Sequence, residues 1–343
     1  MRHRTFFAFI LPSLVVMLLF IALPILSVAY QSLFIEHEQA MTAVETCDPF
    51  GCKTELRVDA AAMEALREAE PMGKFNGLGT YANSSHLAFD ELAAIWRDSP
   101  SLGVAFTRML NLPLYKALSF TLAYTFIVTP LVIITGFFIA LGVNAIPGLI
   151  KGPVIFFSLL PMIVTPLIGS LVLFWMIDSN GILGASLQRL LGDPSLTLKA
   201  SPTLTWTVLM VYGVWHSAPF SFIVYYAGLQ SVPKDTLESA MIDGASRWER
   251  VRYVIIPHLL PLTTFIALMQ LMDNFRVLEP IVGFSAAANA TSLSYLIYND
   301  LRGAETPLFG SAGATSMLTI CGVIILLSPV LLRTWRDFNR KTH

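Results

Sequence analysis

Three charged side chains lie at every third residue of an otherwise apolar stretch of the sequence. They are Asp273, Arg276 and Glu279, and the amides Gln270 and Asn274 lie beside them. A charge at the centre of a bilayer costs about 2.5–3.5 kcal/mol on insertion scales, so each of these groups needs a partner or water. Pairing of Arg276 with both carboxylates along one helical face would give a self-neutralising ladder, which seals a helix bundle or contacts a second membrane subunit. A cavity lining that hydrogen-bonds a polar solute is the alternative, and the pattern favours neither.

Aromatic side chains follow further along the chain, in an external loop or a re-entrant segment. Tyr295, Tyr298 and Asn299 are secondary candidates for solute contacts, because aromatic faces combined with a few polar groups are typical of small-molecule sites. Trp215 and His216 lie in an earlier apolar stretch. An isolated pair of this kind is more typical of packing or of anchoring at the membrane interface.

The composition and the motifs exclude several classes of protein. Of the 343 residues, 55% are hydrophobic and 13% are charged, against about 25% charged residues in soluble domains. The net charge of −1 argues against a nucleic-acid partner. The sequence has no G-x-S-x-G elbow, no metal-ligand cluster and no G-x-x-x-x-G-K-[ST] phosphate loop. We therefore expect a membrane protein that is not an enzyme and that binds no cofactor or metal itself.

Six stretches are long and apolar enough to cross a bilayer, which takes about 20 residues. The first stretch is longer than the apolar region of a typical signal peptide, which favours an uncleaved helix. Charged residues make the fifth stretch the weakest. The six stretches are Phe6–Tyr30, Lys116–Ala145, Val154–Ile177, Leu204–Leu229, Leu262–Phe284 and Gly310–Leu332.

The distribution of Lys and Arg predicts the orientation in the membrane. With the N-terminus inside, eleven Lys and Arg residues lie in cytoplasmic segments and three in short external loops, as the positive-inside rule requires. Both termini are then cytoplasmic. The predicted organisation is a transmembrane helix at 1–30, an extracytoplasmic lobe at 31–113 with an insertion at 36–74, and a core of five transmembrane helices at 114–343. Val58–Ala69, within the lobe, is rich in helix formers and predicts a surface helix.

Two of the three cysteines lie close together in the predicted external lobe. Cys47 and Cys52 flank the segment Asp-Pro-Phe-Gly, while Cys321 lies alone in an apolar run. An oxidising compartment would favour a disulfide between Cys47 and Cys52, and two thiols alone make a poor zinc site. Unpaired thiols are the alternative.

A polar segment between the fourth and fifth apolar stretches, residues 231–261, combines helical periodicity with a glycine. Leu237, Met241, Ala245 and Trp248 recur at roughly helical spacing, with charged residues between them. Gly244 allows a close backbone approach or a break between two short helices. Two prolines, at 257 and 261, are expected to end the helix before the chain re-enters the membrane. From these features alone, an amphipathic helix on anionic lipid is as reasonable as a protein contact.

The residues of this segment resemble the EAA loop of permeases from binding-protein-dependent ATP-binding-cassette importers. The family pattern is E-A-A-x-x-D-G-A with a proline some twelve residues later. The sequence departs from the pattern at Ser239, where alanine is usual, and at Val251, where phenylalanine is frequent; both changes keep a small or apolar side chain. The matching residues are Glu238, Ala240, Asp243, Gly244, Ala245 and Pro257.

Other stretches resemble the sugar-type branch of this family, with maltose, trehalose and glycerol-phosphate permeases. They are Gly77–Tyr81, Gly228–Pro233 and Asn274–Pro280. The T-x-G-G-P turn of that branch is absent, and Phe284–Thr291 stands in its place. The resemblance runs from Gly77 to the C-terminus and leaves out the insertion.

The resemblance implies an all-α membrane fold of about six transmembrane helices, the type I importer permease bundle with a cytoplasmic coupling helix. It implies the bacterial inner membrane, with surrounding lipid, and a second, different permease. It also implies two ATPase subunits that bind ATP and Mg, and an extracytoplasmic solute-binding protein. The solute would be a carbohydrate or related polar compound, and nucleic acid has no role. A secondary transporter or channel working without an ATPase is the alternative function; a non-transporting scaffold fits the charged fifth stretch less well.

The resemblance also assigns roles in the segment 231–261. Leu237, Met241 and Trp248 would form an apolar anchor in a groove of the ATPase, with charged side chains around it. The residues implied in ATPase coupling are Leu237, Glu238, Ala240, Met241, Asp243, Gly244, Ala245, Trp248 and Arg250.

Overall fold

The computed structural model describes residues 2–37, 40–48, 51–193, 197, 199, 201–302 and 307–341. Most of the described chain is helical, as predicted, and two small antiparallel sheets are added to the helices. The strands are β1 (Phe34–Ile35), β2 (Met41–Asp48), β3 (Gly51–Val58) and β4 (Lys74–Phe75). The helices are α1 (Arg2–Met17), α2 (Leu23–Gln31), α3 (Ala60–Ala69), α4 (Gly79–Ala82), α5 (Phe89–Asp98), α6 (Leu102–Leu110), α7 (Pro113–Ala145), α8 (Gly148–Ile163), α9 (Pro166–Met176), α10 (Ile182–Leu191), α11 (Pro202–Gln230), α12 (Lys234–Ile242), α13 (Arg247–Arg250), α14 (Ile256–Phe275), α15 (Glu279–Gly283), α16 (Leu293–Arg302) and α17 (Phe309–Lys341), with π-helical turns at Leu18–Ala22 and Val251–Ile255.

Five of the helical segments in the described chain are long and apolar enough to cross a membrane. A sixth span is possible if α8 and α9, which meet at an angle of 93°, count as one. The apolar side chains of the first span face outward, with none buried inside the chain, as suits contact with lipid or another subunit. The five segments are Phe9–Gln31, Pro113–Ala145, Pro202–Gln230, Arg247–Phe275 and Phe309–Arg336.

The third predicted span, Val154–Ile177, corresponds to the bent pair of helices α8 and α9. Val164 and Thr165 are extended, with ψ angles of 127° and 143°. Thr165 precedes Pro166, and a residue before proline is driven out of the helical region. The chain therefore bends sharply between α8 and α9.

The predicted end of the fifth span is also wrong, and so is the role given to its prolines. Pro257 and Pro261 lie inside the continuous helix Arg247–Phe275. The π turn before Pro257 absorbs the irregularity, and there the Ile256 N–H donates to the Val251 carbonyl. The helix ends at Phe275 rather than Phe284, because Pro280 cannot donate a hydrogen bond to the Arg276 carbonyl and its ring would clash there.

The chain divides into two compact units. The first comprises Met1–Tyr115 and Leu296–Ile320 and contains both sheets. In it β1 pairs with β4 and β2 pairs with β3, all antiparallel. The helix predicted at Val58–Ala69 begins at Ala60, where the Asp59 carboxylate caps it by accepting the N–H groups of Ala61 and Ala62 at 3.1 and 3.0 Å.

The second unit comprises Lys116–Tyr295 and Cys321–His343. Its core consists of two apolar clusters, and α7 and α11 contribute to both. In one cluster they pack with α15 and the segment after it, and in the other with α14. Small residues bring the helices close: Gly136 of α7 lies directly against Ser221 of α11. The largest fully buried side chains of this unit include Phe120, Phe222 and Tyr225.

Candidate functional site

The segment 231–261, which we call the coupling loop, begins with α12 and turns at Gly244. Gly244 has a φ of +79°, a conformation that favours glycine. Its N–H donates to the Met241 carbonyl at 3.1 Å, and the Ala245 N–H donates to the Ala240 carbonyl at 2.9 Å. This pair of bonds is a Schellman motif, which satisfies the last carbonyls of a helix. Gly244 therefore separates two short helices, one of the two roles predicted for it.

The turn leads directly into a second capped helix. The Ser246 hydroxyl accepts the Glu249 N–H at 3.3 Å, and the Glu249 carboxylate accepts the Ser246 N–H at 2.7 Å. This reciprocal capping box fixes the start of α13, which continues through the π turn into α14. The segment Asp243–Glu249 is thus a rigid connection between a short helix and the long helix.

The base of the coupling loop is held by α11 and α14. The Ser231 hydroxyl contacts His258 Nε2 at 3.2 Å and donates to the Gly228 carbonyl at 2.7 Å. Gly228 itself lies against the side chains of Leu259 and Leu262. The loop is therefore fixed at its root and projects from the second unit.

Large apolar side chains of the coupling loop are exposed. Ile242 is 86% exposed, Trp248 59% and Met241 49%, whereas the predicted anchor residue Leu237 is half-buried. Ile242 was not predicted, because it falls outside the helical spacing of the other apolar residues. Glu238, Asp243 and Gly244 are exposed, and Ala240, Ala245 and Arg250 are half-buried.

The second unit also contains a cavity of about 430 Å³ with charged and polar residues in its lining, which we call the polar cavity. It lies where α14 ends, against α7, α11 and the break between α8 and α9. The lining residues are Tyr124, Pro166, Tyr212, Gly213, His216, Ser217, Asp273, Asn274, Arg276, Val277, Leu278, Glu279, Pro280 and Ser294.

Four of the seven predicted solute-contacting residues line this cavity: Asp273, Asn274, Arg276 and Glu279. The other three do not. Gln270 is buried within α14, the Tyr295 side chain packs against an apolar cluster of the second unit, and Tyr298 belongs to the first unit.

Of the ladder considered as one of two alternatives for the three charged residues, only the pair of Arg276 with Asp273 is present, because Glu279 does not share their helix. Arg276 is the C-terminal cap of α14, and Glu279 starts α15. Arg276 donates to the Asp273 carboxylate at 3.0 Å. In the described part of the chain no ion pair joins Arg276 to Glu279.

The break between α14 and α15 is stabilised from neighbouring segments. The Ser292 hydroxyl donates to the Val277 carbonyl at 2.6 Å, and the Ser170 hydroxyl lies 3.4 Å from the Glu279 carbonyl. The Asn274 amide donates to the Thr129 hydroxyl at 2.9 Å, inside the protein. Non-helical backbone between the helices of a membrane protein is tolerated where protein groups supply its hydrogen bonds.

The sequence did not indicate the tyrosines of the cavity, and it favoured packing or anchoring at the membrane interface for His216. The Tyr212 hydroxyl donates to the Pro166 carbonyl at 2.9 Å, and His216 Nε2 lies 3.1 Å from the Val164 carbonyl. Both carbonyls lie at the bend between α8 and α9, and a carbonyl only accepts, so Nε2 of His216 carries the proton there. The signal in the sequence was the Thr165–Pro166 pair, which predicts a broken helix.

The two neighbouring cysteines lie in the first unit. The backbone of Cys47 pairs directly opposite that of Cys52 in the β2–β3 hairpin; their side chains lie outside the part of the structure that is described. Among the described residues, no group of His, Cys, Asp or Glu side chains could hold a metal ion.

The chain is similar to known membrane components of transport systems. The chain is 30% identical over 175 residues to the sn-glycerol-3-phosphate transport system permease protein UgpA of Agrobacterium fabrum, covering 49% of this chain and 58% of the relative. It is 29% identical over 142 residues to the trehalose/maltose transport system permease protein MalF of Thermococcus litoralis, covering 40% and 46%. The chain thus spans about half the length of these curated relatives.

A solved structure has the same fold along almost the whole chain. A bacterial ABC transporter involved in the import of the acidic polysaccharide alginate matches with a TM-score of 0.65, over 98% of this chain and 96% of that chain, at 18% identity. The profile of the family described as "Binding-protein-dependent transport system inner membrane component" matches residues 99–338. This confirms the predicted resemblance, and the chain belongs to the family of binding-protein-dependent transport system inner membrane components.

Proposed function

We propose that this chain is a permease subunit of an ATP-driven importer, which moves a polar solute across the membrane by alternating access. The observation that carries the proposal is the coupling loop. Around a turn that is fixed by a Schellman motif and a capping box, this polar segment presents the side chains of Met241, Ile242 and Trp248 outward. Exposed apolar groups on a rigid turn favour a protein partner.

The partner of the coupling loop would be an ATPase subunit. Met241, Ile242 and Trp248 would form the apolar centre of that contact, with Glu238, Arg247 and Arg250 around it. ATP and Mg would be bound by two such ATPase subunits, since this sequence lacks a phosphate loop. Closure of the ATPases would then push on the long helix that starts at Arg247 and rock the helix bundle.

The polar cavity would be this chain's part of the solute pathway. Carboxylates and hydroxyls around about 430 Å³ suit a polyhydroxylated solute, and sites for small molecules occupy about 300–1,000 Å³. A trehalose/maltose permease and a glycerol-phosphate permease among the relatives support a carbohydrate or a related compound. A second, different permease would complete the pathway, and an extracytoplasmic binding protein would deliver the solute, in keeping with the family description.

We place the chain in a bacterial inner membrane, with both termini and the coupling loop in the cytosol. The excess of Lys and Arg in those segments supports this orientation. The segment 31–113, with its insertion, then forms an extracytoplasmic lobe, and 114–343 forms the core. A cysteine introduced at Lys234, which is exposed and lies outside the proposed ATPase contact, should react with a membrane-impermeant maleimide only after the cells are opened.

A secondary transporter or channel remains the competing function, because charged groups line a cavity between helices. Reconstitution separates the two. Proteoliposomes that contain the complete complex should take up solute only when ATP is present on the side of the membrane where the ATPase subunits lie. Uptake by this chain alone, driven by a proton gradient, would contradict the proposal.

A further inference from the structure

The charged groups of the polar cavity do not cancel. Asp273 and Glu279 contribute two negative charges, and Arg276 contributes one positive charge. Arg276 is already paired with Asp273 at 3.0 Å. In the described part of the chain, Glu279 has no cationic partner, and it is exposed to the cavity. The Asp, Glu and Arg side chains of the lining therefore sum to a formal charge of −1.

The other polar groups of the lining add no positive charge. The Tyr212 and His216 donors are used by the carbonyls of Pro166 and Val164. The Asn274 amide donates to Thr129. Two serine hydroxyls, of Ser217 and Ser294, complete the polar lining, and a hydroxyl can donate or accept. An anionic solute would therefore meet one uncompensated carboxylate and no unpaired cation among the described residues that line the cavity.

We infer that the solute is a neutral carbohydrate and that Glu279 excludes anions from the cavity. This inference rests on the proposed role of the polar cavity as the solute pathway. The carboxylate of Glu279 can accept hydrogen bonds from sugar hydroxyls, and the hydroxyls of Ser217 and Ser294 can donate or accept them. The Asp273 carboxylate offsets the charge of the Arg276 guanidinium, so this ion pair adds no net positive charge to the lining. A phosphorylated or carboxylated sugar would be repelled.

The charge of the cavity can be measured without knowing the solute. A cysteine at Ser217, in a Cys321→Ser background, is treated in the assembled complex with two thiol reagents of similar size. One is a cationic trimethylammonium-ethyl methanethiosulfonate and the other an anionic sulfonatoethyl methanethiosulfonate. The rate constant of each reagent with the introduced cysteine is divided by the rate constant of the same reagent with free 2-mercaptoethanol, which corrects for their different intrinsic reactivity. We expect a cation-to-anion ratio of about tenfold or more, because one nearby charge at an effective dielectric near 20 changes a rate by over a decade.

Charge variants give the ratio a predicted order. Glu279→Gln removes the uncompensated charge, so the ratio should fall towards one. Arg276→Gln leaves two carboxylates, so the ratio should rise above that of the unmodified complex. Asp178→Asn is the control, because Asp178 pairs with Lys199 at 2.9 Å away from the cavity lining; it should leave the ratio unchanged. If one variant fails to assemble, the order of the remaining two still tests the inference.

Two further readouts separate the inference from the proposed function. Modification of the cysteine at 217 should block solute uptake. If uptake persists, the polar cavity is not the pathway and the proposed role of the cavity fails. If uptake is blocked but the anionic reagent reacts as fast as the cationic one, the cavity is the pathway and the charge inference fails. Mass spectrometry of the solute that copurifies with the cognate binding protein should give a neutral carbohydrate; an anionic solute would overturn the inference.

Discussion

Trp248 and Asp273 lie near opposite ends of one continuous helix, Arg247–Phe275. The 25 residues between their positions correspond to about 37 Å along the helix axis. Trp248 is exposed in the coupling loop, and Asp273 lines the polar cavity. A single hydrogen-bonded rod thus joins the surface proposed for ATPase contact to the groups proposed for solute contact.

The first prediction tests this rod. Ile256→Gly with Leu260→Gly should uncouple ATP hydrolysis from uptake, because each glycine softens a helix and costs about 1 kcal/mol. Both side chains are exposed, at 40% and 59%, so their loss leaves the core in place. Uptake per ATP hydrolysed by proteoliposomes should fall severalfold.

The matched control for the rod lies in α17. Ile324 and Leu331 are also exposed, at 62% and 52%, and their replacement by glycine should leave uptake per ATP nearly unchanged. An equal loss of coupling in both double variants would mean that general softening of the bundle, rather than this helix, determines transport.

The second prediction concerns the bend between α8 and α9. Tyr212→Phe removes the donor to the Pro166 carbonyl. The net contribution of one hydrogen bond to stability is about 0.5–1.5 kcal/mol, so the variant should unfold at a lower temperature in detergent. Tyr226→Phe is the control, because its hydroxyl makes no hydrogen bond recorded in the described chain and its ring faces Lys151 at 6.0 Å. Equal thermal shifts in both variants would argue against a structural role for the Tyr212 hydroxyl.

The third prediction is the disulfide in the β2–β3 hairpin. The register places Cys47 opposite Cys52, with Asp48 opposite Gly51, and directly opposed residues of antiparallel strands have Cα atoms about 4.5–5.5 Å apart. That distance suits a disulfide. In denatured protein, a maleimide-polyethylene glycol reagent should label one thiol, that of Cys321, before reduction and three after it. Labelling of all three cysteines without reductant would contradict the pairing.

The fourth prediction concerns the effect of pH on the first unit. Burial raises the pKa of Asp300 above its usual value, although the Ser311 hydroxyl and nearby His86 oppose the shift. The folded chain then binds this proton more tightly than the unfolded chain, so the contribution of Asp300 to stability falls as pH rises above about 4. We therefore expect Asp300→Asn to raise the thermal midpoint above that of the unmodified chain, and to raise it more at pH 7 than at pH 4. A variant with an unchanged pH dependence would show that Asp300 does not control it.

The helices of the membrane could be predicted because length and hydropathy depend only on local sequence. Five predicted spans correspond to long helices, with ends shifted by a few residues in most of them. The fifth span was shifted further, towards the N-terminus. Its helix runs through Pro257 because a π turn precedes that proline, and it stops before Pro280. A proline has these opposite effects depending on the turn before it, which hydropathy does not reveal.

The candidate site was predictable where local sequence defines geometry. Gly244 and the residues around it form a turn whose hydrogen bonds are all short-range. The polar cavity needed the three-dimensional structure, because its lining combines α7, α11, α15 and a broken helix. Asp273 and Glu279 could be recognised because they are charged residues in an apolar stretch of the sequence. Tyr124 and Tyr212 resemble other residues of apolar spans, and only the fold brings them together with Pro166 around the cavity.

The central claim, that the coupling loop transmits the action of a separate ATPase, is tested most directly by two glycine variants. Gly244 and Gly192 have φ angles of +79° and +69°, and an added Cβ meets nothing within 4 Å at either position. Aspartate at either position should therefore cause similar local strain. We predict that Gly244→Asp abolishes ATP-driven uptake and weakens copurification of the ATPase, while Gly192→Asp retains both. Normal uptake by the Gly244→Asp complex, or an equal loss in the two variants, would contradict the account.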